Sequence, residues 1–597
     1  MTLTDVTERR IAVLEAFTVR KTSPIAGRSY QWVSARAQYA VDPDDPGTAQ
    51  IADLGLVPRD ADGKVRFAGD VVLLRPTDGG NGRALLVVPN RGLANVPFSG
   101  IGMQFAGTGE AMDTGEGYLL DEGWTVALPG WQWNVPDGFL GLTAPVVTVE
   151  PGWMRADLRF EVPMAERSLN DVIPSGAGGP ARSYGAYPTA DVDDPDAVLR
   201  VRVAQMGPSE TIPRSAWSFT SPATIALRGG FRPQRWYELF YRCSYAPVAG
   251  AGLLAVRDFG AHLRTEHAGV FGYGQSQSGR FLRQFLFEGL NLAEDGAPVF
   301  DGVLAEIAGA RRGEFNRRYA QPGLLVPMMP ELGPPYDSAS LLARQRGRGG
   351  VPKVFFVNSA AEYWRGDGAL VHQDAVTGAD LPEDPDVRAY LVSGTDHVGN
   401  IPAMKQAAQL LNPPHLLDKE PVVKALFVQL REWALDGVEP TPSMVPRQSD
   451  GTATSRENVL ESFPASTRPD PAVLPYTPQI DPDVVDWPLP FGEPRVALVS
   501  AVDERGNEVA GIHLPAVEAG VAAYTGWNPR RHIDGLPDVL HDVIGSRLPR
   551  LSGPAPSIPD LRAAALRLAD RRLILPAAVD RVVEQAIAEL AAGEVMS

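Results

Sequence analysis

GVFGYGQSQSGRFLRQF, residues 269–285, runs from an apolar stretch through a knot of glycine and serine into a segment of helical composition. A short apolar run that breaks at Gly/Ser and resumes with helical spacing marks a buried strand, a tight turn and a helix. Two serines, Ser276 and Ser278, lie in the turn. In Gly274-Gln275-Ser276-Gln277-Ser278 the first and fifth residues are small. A sharp turn with Ser276 at its apex requires this, because the residues two before and two after press together. Centring the turn on Ser278 would put Arg280 in the fifth place, too bulky for the same crossing. Ser276 is thus the candidate nucleophile and Ser278 its small partner. The N–H of Gln277, at the start of the helix, is placed to stabilise an oxyanion. The bland alternative is a serine that only caps a helix. A base and an acid elsewhere in the chain have to decide between the two.

Similar strands flank this stretch. RALLVVPNRG (83–92) and GYLLDEGWTVALPGWQW (117–133) precede it; DGVLAEIAGA (301–310), PKVFFVNSA (352–360) and VRAYLVSGT (387–395) follow. They alternate with helical segments such as GAGLLAVRDFGAHLR (250–264) and EPVVKALFVQLREWALDG (420–437). This argues an α/β fold, a mostly parallel sheet with helices on both faces. Roughly 140 residues separate Trp133 from Gly269, far more than one crossover helix needs, and much of that piece is β-like. The expected organisation is a β-rich segment at 1–80 leading into the sheet, and an α/β domain at 81–437 with a β-rich insertion at about 145–245. A Pro-rich extended segment at 438–490 and a β/helical extension at 491–597, with helices at about 560–571 and 577–591, complete the chain.

Eight histidines limit the search for a base. His397, in RAYLVSGTDHVGN, falls in a turn just past an apolar strand, where an imidazole can reach a serine on a neighbouring strand; His372 is the rival. In this architecture the acid lies between serine and histidine in chain order. Glu362 follows the strand of KVFFVNSAAEYW and is the candidate to orient the imidazole. Asp367 and Asp374 in the same loop, Asp396 beside the histidine and Glu306 on the preceding strand are runners-up. A second oxyanion donor is expected in the loop Asn90-Arg91-Gly92. Trp131 and Trp133, past the end of a sheet strand, could wall an acyl or alcohol pocket, and Arg311, with Arg312, could bind a substrate carboxylate; core packing and ordinary ion pairing are the competing roles.

The remaining classes fare worse. A net charge of -17 opposes wrapping of nucleic acid and contact with an anionic membrane surface. No apolar run is long enough to span a bilayer and the N-terminus lacks a secretory pattern, so a cytoplasmic location is the default. The single cysteine, Cys243, excludes internal disulfides and a cysteine zinc cluster. GAGLLA (250–255) matches a dinucleotide-binding loop, but the following strand ends in Gly274-Gln275-Ser276 instead of the required acid. No metal or organic cofactor is needed.

The chain resembles the α/β-hydrolase superfamily and, more narrowly, a bacterial group of α/β hydrolase domain-containing proteins. VPNRG, GWTVALPGWQW, GYGQSQSGRFLRQFLFEGLN, GARRGEFNRRYAQPG, NSAAEYW, SGTDHVGN, VSAVDERGNEVAGIHLP and YTGWNPR carry the resemblance over nearly the full length. It implies the α/β-hydrolase fold, a C-terminal extension packed on the core, and a serine–acid–histidine esterase-type site, without fixing a substrate. The expected activity is hydrolysis of a small-molecule carboxylic ester by Ser276, His397 and Glu362 through an acyl-enzyme. Acyl transfer by the same residues, or a binding protein on a hydrolase scaffold, are the alternatives.

Overall fold

The computed structural model describes residues 14–100, 113–159, 163–169, 172–173, 182–203, 207–323, 334–479, 492–532, 539–541 and 543–595. The opening residues, part of the Gly/Pro-rich run near 174–181 and the end of the Pro-rich segment lie outside them. A ten-stranded sheet organises the rest. Its strands are β1 (Ala16–Pro24), β2 (Tyr30–Val41), β3 (Val65–Pro76), β4 (Arg83–Val87), β5 (Thr125–Pro129), β6 (Gly269–Gln275), β7 (Gly302–Glu306), β8 (Lys353–Ser359) and β9 (Val387–Val392). They lie in the order β1-β2-β3-β5-β4-β6-β7-β8-β9, with the short strand Leu142–Thr143 beside β3. The first four in this order pair antiparallel, and from β5 onward every pair is parallel.

The apolar strands need no alternation of polar residues because both sheet faces are covered. Successive residues nevertheless divide between two cores, as the two-residue period demands. Leu86, Val303, Ala305, Val354 and Phe356 join one core with helices α1 (Ala251–Glu266) and α2 (Gln277–Phe287). Leu85, Val87, Leu304, Phe355 and Val357 face the other. The short α3 (Ala360–Trp364) packs in a separate cluster, and the second core takes in the apolar stripe Val422, Leu426, Phe427 and Leu430 of α4 (Glu420–Asp436). It also takes in residues of α5 (Ile558–Asp570) and α6 (Val579–Val595).

Between β5 and β6 the strands Val146–Arg159, Val198–Arg202, Glu210–Ile212 and Trp236–Pro247 form a four-stranded antiparallel sheet. A three-stranded sheet stands beside it, and a separate apolar cluster lies under both. The described part of the Pro-rich segment holds a short helix, Arg456–Glu461, and a 3-10 turn at Pro471–Val473. Met444 exchanges backbone hydrogen bonds with β9 through Ala389 and Leu391, and Ile512 does so through Leu391 and Ser393. The edge of β9 is thereby covered, which removes an exposed strand template.

Candidate active site

The turn from β6 into α2 places a non-glycine residue at positive φ. Ser276 has φ 59° and ψ −113° and serves as the N-cap of α2. A non-glycine residue there stores strain of about 1–3 kcal/mol, which the surroundings must hold. They do so on every side. Ser276 N–H donates to Glu306 O at 2.8 Å, and Asn90 Nδ2 donates to Gln275 O at 3.1 Å. A Cβ on Gly274 would lie 2.4 Å from Ser278 O, so only glycine fits. Ser278 contributes more than small size: its hydroxyl accepts from Gln275 N–H at 2.9 Å and donates to Gln275 O at 3.0 Å.

Above this turn Ser276 Oγ lies 2.8 Å from His397 Nε2, and His397 Nδ1 lies 2.6 Å from Glu362 Oε1. Glu362 is fully buried in α3, after β8. Its other oxygen accepts from Ser359 N–H at 2.8 Å and from Ser359 Oγ at 2.6 Å, closing a capping box. Burial alone would raise the carboxyl pKa. The hydrogen bond and charge of His397, then Arg365 and Ser359, outweigh it and hold the group at about 2. Arg365 Nη1 stands 3.6 Å from Glu362 Oε1. Burial lowers the pKa of His397 against the raising influence of Glu362, and Arg365 and Lys419 lower it further. A neutral imidazole between a hydroxyl and an ionised carboxylate can take the hydroxyl proton, and the carboxylate steadies the resulting cation.

The loop that carries His397 is tied from behind. Asp396 meets Lys405 Nζ at 2.7 Å and accepts from Gly399 N–H at 2.7 Å and Gly545 N–H at 3.1 Å. Lys419 Nζ donates to the carbonyls of Asp396 and His397, each at 3.3 Å. Glu508 Oε2 accepts from Gly394 N–H at 2.8 Å, while its Oε1 has no partner among the described residues. Gly545 and Glu508 belong to the C-terminal extension, so that extension forms part of the support of His397.

The other candidate residues have the following contacts. Arg91 N–H donates to the side chain of Gln277 at 2.7 Å, so this backbone donor is engaged within the protein. Gly92, at φ 73°, brings its Cα against Val135, where a Cβ would come within 2.8 Å. Trp131 is a core residue: it is 2% exposed, lies against Phe281 and Phe315, and donates its indole N–H to Pro89 O at 2.7 Å. Trp133 packs edge-on against Tyr187 and Tyr245 of the insertion. Arg311 is 1% exposed and donates to Thr477 Oγ1 and Tyr476 O, so it anchors the Pro-rich segment. Arg312 donates to Gln284 and Pro334.

Among the runner-up groups, His372 bonds Tyr363 OH at 3.0 Å and burial holds its pKa down at about 3. Asp367 pairs with Arg365, Asp374 closes a surface turn with Thr377, and Glu306 accepts from Tyr273 and Gln275. The sequence reading missed Ser359, although Ser359-x-x-Glu362 carries the capping-box pattern. Arg365, Lys419 and Lys405 carry no comparable signal. Among the described residues no group of three or more His, Cys, Asp or Glu could hold a metal ion, and no helix is long and apolar enough to cross a membrane.

No curated protein matches the chain. Among solved structures, a glucuronoyl esterase from Solibacter usitatus is similar at 11% identity over 63% of this chain and 80% of that one, with a TM-score of 0.24. A promiscuous CE15 esterase from a marine bacterial metagenome is similar at 11% identity over 63% and 80%, with a TM-score of 0.25. A CE15 glucuronoyl esterase from Teredinibacter turnerae is similar at 11% identity over 58% and 61%, with a TM-score of 0.21. Likenesses this distant leave the activity to the site itself. The family model described as "Alpha/beta hydrolase domain" matches residues 231–583, from the last strand of the insertion through β6 to β9 and into α6. With more than half of its length matched by that model, the chain belongs to the α/β-hydrolase domain family.

Proposed function

We propose that the protein hydrolyses a small-molecule carboxylic ester through an acyl-enzyme formed on Ser276. The observation that carries this is the unbroken line from Ser276 Oγ to His397 at 2.8 Å and from His397 to Glu362 at 2.6 Å, mounted on a strained strand-to-helix turn. Ser276 Oγ attacks the ester carbonyl carbon while its proton passes to His397 Nε2. Glu362 keeps the other ring nitrogen protonated and stabilises the imidazolium. The oxyanion receives the N–H of Gln277 at the start of α2, where the helix dipole adds to the hydrogen bond. Because Arg91 N–H is engaged by Gln277, the second donor is assigned to Gly92, the next N–H of the same loop. Collapse of the tetrahedral intermediate returns the proton to the departing alkoxide. Water then attacks the acyl-serine, giving its proton to His397, and serine is regenerated as the acid leaves.

A series of p-nitrophenyl esters tests this assignment. His397→Ala is expected to lower kcat by at least about 10³-fold with the fold retained, as for other serine–histidine pairs. Turnover at the wild-type rate in His397→Ala would contradict the assignment.

A further inference from the structure

One turn beyond Ser276, Arg280 is 1% exposed, and neither its Nε nor its Nη1 meets an acceptor among the described residues. Its neighbour Arg283 makes a useful contrast. Its Nε and Nη1 likewise meet no acceptor among the described residues, but its Nη2 donates to Ala310 O at 2.8 Å and Tyr336 O at 2.6 Å, and the guanidinium lies 4.7 Å over the Phe356 ring. Arg280 has no such bond, and no carboxylate pairs with it among the described residues.

Helical side chains lean toward the N-terminus of their helix. Arg280 N–H bonds Ser276 O at 3.0 Å, one helical turn from the serine. The charges that act on it are Arg365, Arg91, Asp367 and Arg311. Arg365 is the residue 3.6 Å from Glu362, and Arg91 is the residue whose N–H holds Gln277. Arg280 therefore feels the charge of residues that themselves touch Glu362 and Gln277. Asp367 is the one anion of this set, and it is bonded to Arg365 at 2.7 Å. A guanidinium keeps its proton inside proteins, and a buried charge without a counter-charge is strongly unfavourable. The negative charge of the whole chain does not fill the gap, because exposed charges beyond about 8 Å are screened.

We propose that Arg280 forms an anion subsite beside Ser276, and that the ester substrate carries a second, free carboxylate that this guanidinium binds. A planar guanidinium matches a carboxylate through paired N–H donors. The proposal rests on the serine-esterase assignment above and moves the carboxylate-binding role considered for Arg311 to a residue that has no other partner among the described residues.

The test compares monomethyl esters of succinate, glutarate and adipate with neutral methyl esters of matched length, following methanol release by the full-length protein. For the best-fitting length, kcat/KM of the anionic ester should exceed that of the neutral one by at least about 10-fold, mainly through KM. Arg280→Gln should lower that ratio by at least about 10-fold, and Arg280→Lys by less. The free dicarboxylate should also slow fluorophosphonate labelling of the wild type relative to chloride at equal ionic strength. This readout decides the matter if Arg280→Gln does not fold. A wild type that prefers the neutral esters, or labelling that is indifferent to dicarboxylate, would overturn the subsite and leave the esterase assignment standing. Absence of both turnover and Ser276 labelling would overturn that assignment and the subsite with it.

Discussion

At Glu362 the two carboxylate oxygens have separate tasks: one closes the capping box with Ser359 and the other meets His397. Glu362→Gln changes the second task most. It is expected to lower kcat by roughly 10²–10⁴-fold with a smaller effect on KM. The pH profile gives an independent readout. His397 must be neutral to accept the serine proton, so kcat/KM rises through its pKa, which burial places below the ordinary 6.5. Glu362 is the group that pulls this pKa up, so the acid limb in Glu362→Gln should move to lower pH. An unmoved or raised limb in the pH–rate profile would contradict the role. At this scale the sequence exposes residues whose chemistry is tied to strand ends: Ser276, Glu362 and His397 each follow an apolar run. It does not expose which arginine is already bonded. Arg311 is engaged by Tyr476 and Thr477, some 165 positions away, while Arg280 is left without a partner among the described residues.

The strand–turn–helix element formed by β6 and α2 depends on two small residues for different reasons. Gly274 is needed because a Cβ would overlap the backbone of Ser278, whereas Ser278 ties both polar backbone groups of Gln275 through its hydroxyl. Ser278→Ala keeps the size and removes these bonds. It should destabilise the protein by about 1–3 kcal/mol, the cost of leaving a buried donor unpaired. Urea unfolding checks this, and an unchanged midpoint would mean that size alone matters. From the sequence the smallness of both positions was readable, but the second use of the hydroxyl was not, since it depends on the curl of the backbone. The same holds for Arg91, whose place in a loop after β4 was legible while the capture of its N–H by Gln277 was not. Strands and helices themselves were legible from their periods, because a sheet covered on both faces is built from continuous apolar runs.

Across the whole molecule, buried titratable groups set the response to acid. Glu362 and Asp396 are held at about 2 by partners that outweigh burial, below the ordinary 4.5 and 3.8. Their stabilisation is complete above those ordinary values and is lost as pH falls toward 2. Burial holds His372 and His415 at about 3, so what they contribute is lost as pH falls from 6.5 toward 3. Glu420 and Glu508, pushed up to about 7 by burial, act in the opposite sense: protonation between pH 7 and 4.5 relieves them. The slopes, each about 1.4 kcal/mol per pH unit per proton, oppose one another from pH 6.5 to 4.5 and then reinforce below it. The urea midpoint should therefore fall most steeply below pH 4.5; a steepest fall between 6.5 and 4.5 would contradict this. Asp396 and Glu508 also show how distant chain segments meet at the site, through Gly545 and Gly394, a connection that no local pattern announces. All of this converges on one hydroxyl, and covalent labelling interrogates it directly. Intact-mass and peptide analysis of the full chain after a fluorophosphonate should give a single adduct on the peptide bearing Ser276, absent in Ser276→Ala. An adduct on another residue, or equal labelling of Ser276→Ala, would contradict the account.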